Sequence, residues 1–139
     1  MRNRLALAVM LGSLPVAVLA QDKACSKADS QRAEKAVERV VNWGQLQKAY
    51  QEFRHCDAGP VSEAFTDAFV RLLVDWKDVD GIAASNQDAA FRAFMEKHLK
   101  EPSAKDDLDS IYSRAKSSCP SKHEAFCAQL AEFTKAASK

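Results

Sequence analysis

Cys119, His123 and Cys127 recur at spacings of four, and Glu124 sits beside the histidine. Two metal-binding side chains one helical turn apart, with a glutamate between them as base, are the outline of a zinc hydrolase helix. Here Cys127 stands where the second histidine would be, and no third ligand follows downstream. A Cys-His-Cys set is chemically able to hold a metal. However, Ser121 and Glu124 have the spacing of a helix capping box, and four cysteines make an even set suited to disulfides. The reading is a bridge between Cys119 and Cys127 beside a surface histidine, with no metal and no cofactor expected.

His55-Cys56-Asp57 gathers three reactive side-chain types. Immediate neighbours along a chain rarely face one another, and a thiol nucleophile needs a facing histidine. Asp78-Val79-Asp80-Gly81 has the look of the middle of a calcium loop. With Gly81 at the sixth position, however, the first and twelfth positions fall on Trp76 and Gln87, which supply no carboxylate. A turn that starts a helix explains it. Asp57, Glu63, Asp67 and Asp75 lie along one loop and one helix face, where two carboxyls could serve as acid and base in a glycosidase-type site. The same residues also read as a wet face with Asp67–Arg71 and Arg71–Asp75 pairs at i,i+4 spacing. His98 falls on an apolar stripe and reads as a hydrogen-bonded core histidine. No catalytic residue is assigned.

Whether the cysteines pair depends on compartment, which the first twenty residues address. Arg2 and Arg4 form a positive start, Leu5 to Leu19 is uncharged and mostly apolar, and Val18-Leu19-Ala20 offers small residues before polar Gln21-Asp22-Lys23. This is the pattern of a cleavable export signal. Gly12, Ser13 and Pro15 interrupt a run already shorter than the ~20 apolar residues of a membrane span. The expectation is a signal peptide over 1–20 and a single helical domain over 21–139, located in a bacterial periplasm or secreted, with no membrane attachment after cleavage. All four cysteines follow that signal, so they are expected to be oxidised.

Of 139 residues, 47% are apolar and 28% charged, with 20 Lys and Arg against 19 Asp and Glu. That composition is globular, and the near-neutral balance gives no electrostatic basis for binding nucleic acid. Ala33, Ala36, Val37, Val40 and Val41 mark one helix face, and Trp43, Leu46, Tyr50 and Phe53 a second. Asn42 with Gln45 resembles a capping box, which places a break near Asn42–Gly44. The clearest stripe runs Val61, Ala64, Phe65, Ala68, Phe69, Leu72, Leu73, Trp76, and predicts a central helix whose other face, including Thr66, is wet. Phe91, Phe94, Met95, His98 and Leu99 mark another helix. Leu108, Ile111, Tyr112 and Ala115 line the next, and Phe126, Leu130, Phe133 and Ala137 the last. No strand alternation or internal repeat is present. The fold class is all-α: a compact single-domain bundle of about six short-to-medium helices with two disulfides.

Four cysteines allow three connectivities. The helix layout favours Cys25–Cys56 and Cys119–Cys127: the first pair flanks a two-helix hairpin, and the second spans the Pro120 break. An unbroken helix over 30–55 would hold its ends about 38 Å apart and forbid the first bridge.

In size, leader, helicity and cysteine count the chain resembles the small helical immunity proteins that guard the periplasm against type VI secretion peptidoglycan amidases. That resemblance implies a protein partner, a secreted toxin or other enzyme, whose active-site groove is occluded by an exposed loop or helix end. The acidic residues proposed for that contact are Asp57, Glu63, Asp67, Asp78 and Asp80. Other classes remain open. A small-molecule carrier would use Phe65, Phe69, Trp76, Phe91, Phe94 and Met95 as a pocket, a hydrolase would use the acidic face, and an acid-stress chaperone would expose apolar surface at low pH.

Overall fold

The chain is described from a computed structural model covering residues 23–139; the expected signal peptide lies outside the described residues. The first helix, α1 (Lys27–Glu38), is capped by Ser26, whose Oγ accepts from the Asp29 amide at 3.0 Å. It stops where the Asn42 motif demands. Asn42 is extended, its Oδ1 accepts from the Gln45 amide, and Gln45 Oε1 accepts from the Val41 amide, both at 2.9 Å. These bonds satisfy donors that a new helix start leaves without partners, so the break is built into the residues that make it. Helix α2 (Trp43–Phe53) runs back beside α1. A short 3-10 turn over Arg54–Cys56 follows. The reversal brings Cys25 and Cys56 to a Cα separation of 4.9 Å, and they are bonded.

Helix α3 (Gly59–Asp75) carries the long stripe and packs against α1, α5 (Ala89–Leu99) and α6 (Leu108–Ser117). Val61, Phe65, Ala68, Phe69 and Leu73 are fully enclosed. The helix ends at Trp76, which adopts the left-handed conformation at φ 52°. A bulky residue is strained there. Its indole Nε1 donates to the Ser118 carbonyl at 2.9 Å, tying the end of α3 to the end of α6.

The turn read from sequence as a helix start opens a short helix, α4 (Val79–Ser85). Asp78 is its cap and accepts from the Gly81 amide at 3.0 Å. A Cβ at position 81 would crowd that carboxylate, so the Asp-Val-Asp-Gly pattern is a tight capping turn with a glycine beneath the cap. Asp88 caps α5 through the Ala90 and Phe91 amides. Pro102–Asp107 is a 3-10 stretch, and α6 begins at Leu108. Ser121–His123 is likewise a 3-10 turn, and the expected Ser121–Glu124 capping box does not form. Helix α7 (Glu124–Ala137) begins without a side-chain cap, and its first turns are held by the Cys119–Cys127 bridge, with a Cα separation of 6.1 Å.

The described residues thus make a compact all-α fold of seven α-helices, one more than the stripes suggest, around one apolar cluster. Val41, assigned from spacing to the apolar face, is 72% exposed because the chain has already left α1 there. No helix of the described residues is long and apolar enough to cross a membrane.

The two bridges close loops of very different length, with sequence separations of 31 and 8. Loop-closure entropy assigns about 3.7 kcal/mol to the first and about 2.6 kcal/mol to the second. Equilibrium denaturation of Cys25→Ser/Cys56→Ser and Cys119→Ser/Cys127→Ser proteins should therefore show the larger loss for the first pair. The reverse order would mean that native packing, and not chain entropy, governs these bridges.

Candidate functional site

The polar groups that the fold brings together centre on His98. It projects from α5 into the core with no solvent exposure, between Phe65, Phe69 and Phe94, and its ring centroid is 4.5 Å from that of Phe94. Its Nδ1 lies 2.8 Å from Thr66 Oγ1 on α3. Its Nε2 faces Asp57 Oδ1 at 3.4 Å. Thr66 Oγ1 is also 3.1 Å from the Ser62 carbonyl. Nε2 and Asp57 Oδ1 face each other without a formed hydrogen bond, so only the Thr66 contact is one, and two proton arrangements suit it. With Nδ1 unprotonated the ring accepts the Thr66 hydroxyl proton, whereas with Nδ1 protonated it donates to Thr66 and frees that hydroxyl to donate to Ser62. The sequence of groups Asp57–His98–Thr66 has the order of a hydrolytic triad. The ring is sealed and Thr66 is 3% exposed, so no substrate carbonyl can approach the hydroxyl. The chain is a structural tie between α3, α5 and the loop after the first disulfide.

Asp57 is the charged end of that tie. Its side chain is only 8% exposed, and Oδ2 also takes a hydrogen bond from Lys97 Nζ. Burial pushes the carboxyl up, but His98 and the Lys97 ammonium outweigh it and hold the group at about 2.

On the Asp57 side lies an open cleft of about 640 Å³ between α2, the Arg54–Cys56 turn and α5. Tyr50 and Phe94 form its aromatic wall, with ring centroids 4.9 Å apart, and Arg54, Lys97 and Lys23 reach it. On the Thr66 side lies a second cleft, about 440 Å³, between α3 and the Pro102–Asp107 stretch. Glu63, Asp67, Glu101 and Asp107 border it. Asp67 pairs with Arg71 at 2.6 Å, whereas Glu63, Glu101 and Asp107 have no cationic partner among the described residues. Arg71 does not bridge on to Asp75 as its spacing suggests; it donates instead to the Val40 carbonyl at 2.8 Å, and Asp75 faces Lys77.

The five acidic positions singled out from sequence therefore part company. Glu63 and Asp67 share the acidic cleft. Asp57 turns inward on the far side of His98, Asp78 is occupied as a helix cap, and Asp80 is clasped by Lys122 and His123, which hold its carboxyl below the ordinary range. Cys25, Cys56, Cys119 and Cys127 are all bridged, so neither a thiolate nucleophile beside His55 nor a thiolate pair around His123 exists in this structure. Of the aromatic set considered as a carrier pocket, Phe65, Phe69 and Phe91 are buried in the core, while Phe94 borders the basic cleft. Thr66, expected to be wet, is buried. The signal for it was His98 itself, since a histidine on an apolar stripe requires a polar partner on the helix it faces.

No protein-family model, curated protein or solved structure matches the chain.

Because the Asp57 carboxyl titrates lower in the folded protein than in the unfolded chain, it contributes stability above pH ~4 that is lost as pH falls toward 2. Part of the surrounding charge is open to water, so the contribution is about 1–2 kcal/mol and not the full shift. Urea denaturation between pH 5 and pH 2 should show that loss in the wild type and a shallower decline in Asp57→Asn. Parallel declines would remove Asp57 from the account.

Proposed function

We propose that this is an exported binding protein, an immunity or inhibitor protein that neutralises a cell-wall-degrading enzyme by covering its active-site groove. The observation that carries this reading is the acidic cleft. Glu63, Glu101 and Asp107 leave three carboxylates there without cationic partners among the described residues, around a concavity of about 440 Å³. Enzymes that act on an anionic polymer surround their grooves with Lys and Arg, and matched charge both speeds encounter and fixes register. A basic side chain on the groove rim would enter the cleft, and the rigid body of helices behind it would exclude the polymer. Occlusion of this kind needs a stiff surface and no reactive group, and two disulfides with a sealed histidine suit that role. Both disulfides are compatible with an exported protein, as the leader-like first twenty residues also suggest. The general resemblance in size, helicity and cysteine count to periplasmic immunity proteins supports the same class.

The test is inhibition of purified cell-wall hydrolases, beginning with any encoded beside this chain's own gene. One of them should form a one-to-one complex with the oxidised protein and lose its activity on isolated peptidoglycan. Reversing charge at Glu63 and Asp67 together should weaken that complex by about tenfold or more, with the difference shrinking as salt is raised. Unimpaired hydrolysis in the presence of the wild type would overturn the function, and an unchanged dissociation constant for the double variant would overturn the surface.

A further inference from the structure

The basic cleft is not used by that reading: it shares no lining residue with the acidic one. Its charges are not balanced. Asp57 is already occupied by Lys97 and faces His98, and Lys23 is paired with Asp29 at 3.2 Å. Arg54 is paired with no carboxylate among the described residues. Its guanidinium lies 5.3 Å from the centroid of the Tyr50 ring, and one Nη donates to the Tyr50 hydroxyl at 3.2 Å. This contact orients the planar fork and leaves its remaining N–H groups for a ligand. Nearby, His55 Nε2 is enclosed and has no hydrogen-bond partner; Asp29 is 3.9 Å away, too far for one. That nitrogen is shut off from solvent, so the cleft offers a ligand the Arg54 fork and not the imidazole.

The apolar side of the cleft is equally defined. Tyr50 and Phe94 are held by contacts to Phe91 and Phe65, with ring centroids 5.2 and 5.0 Å apart, so the wall is rigid. Ala90 and Ala93 on α5 keep the floor shallow. A volume of about 640 Å³ falls within the range of small-molecule sites. The Cys25–Cys56 bridge assembles the whole, because it joins the segment carrying Lys23 to the turn carrying Arg54 and His55.

We propose that this cleft is a binding site for a carboxylate carried on an aromatic body, with Arg54 holding the carboxylate and the half-buried Phe94, backed by Tyr50, packing against the ring. The shared chemistry is found both in small aromatic acids and in a polypeptide ending in an aromatic residue.

Calorimetric titration of the oxidised full chain with N-acetylphenylalanine tests the site. One equivalent should bind. N-acetylphenylalaninamide, which lacks the charge, and N-acetylglycine, which lacks the ring, should each bind about tenfold more weakly or worse. Arg54→Gln should lose about tenfold in affinity for the acid while binding of the amide stays where it was, and Lys100→Gln, whose ammonium lies over Phe133 elsewhere, should match the wild type. A tripeptide ending in phenylalanine that binds more tightly than the acid assigns the site to a polypeptide terminus, and one that binds more weakly assigns it to the free acid. No binding of the acid or the peptide, or equal binding of acid and amide by the wild type, overturns the proposal without any variant having to fold. Loss of the hydrolase inhibition described above would leave these titrations unaffected.

Discussion

The covalent closure of the α1–α2 hairpin at Cys25–Cys56 is the constraint from which the arrangement of polar groups follows. Without it, the chain before α1 and the turn after α2 are two separate ends. With it, Asp57 is delivered to the edge of α5, where Lys97 and His98 wait, and Arg54 and His55 are set beside the Lys23 segment. The bridge is possible only because the helix breaks at Asn42, and the break is secured by local side-chain bonds from Asn42 and Gln45. A capping motif of two residues thus decides where a disulfide forms, and the disulfide decides which charges meet.

His98 then divides the surface. Its two nitrogens point to groups that border different clefts, Asp57 on the basic side and Thr66 on the acidic side. Carboxylates without partners gather on one side and an unpaired guanidinium on the other, and a sealed aromatic and imidazole cluster lies between them. A near-neutral net charge conceals this polarity, because the two signs cancel in the sum while remaining apart in space. Complementarity of this kind favours specific contacts over general adhesion to polyanions. A buried polar chain of three groups also fixes the register of α5 against α3 more sharply than apolar packing alone, since a shifted helix would strand each group.

Much of this was legible before the structure. The all-helical class, the Asn42 break, the two-helix unit and the pairing of the four cysteines all follow from periodicity, capping chemistry and reach. His98 was legible as a core histidine for the same reason. Thr66 and His98 are 32 positions apart, and nothing local shows that they meet. The basic cleft combines residues of the chain before α1, α2, the following turn and α5, so no spacing encodes it. Asp57, Asp78 and Asp80 looked alike as acidic loop residues, yet one is buried, one caps a helix and one is clasped by Lys122 and His123. Composition counts charges, whereas only packing shows which of them already have partners. The 3-10 turn at Ser121–His123 was equally out of reach, because Ser121 and Glu124 have the spacing of an ordinary helix start.

The account stands on these sulfurs being locked in two pairs in the working protein, so that the molecule presents a fixed surface. The most direct measurement is peptide mapping by mass spectrometry, without reductant and with free thiols alkylated at lysis, on protein recovered from its native compartment. The account predicts two linked peptides, Cys25 with Cys56 and Cys119 with Cys127, no alkylated cysteine, and a chain beginning at Gln21. Alkylated thiols at any of the four positions, or linkage between the two pairs, would contradict it.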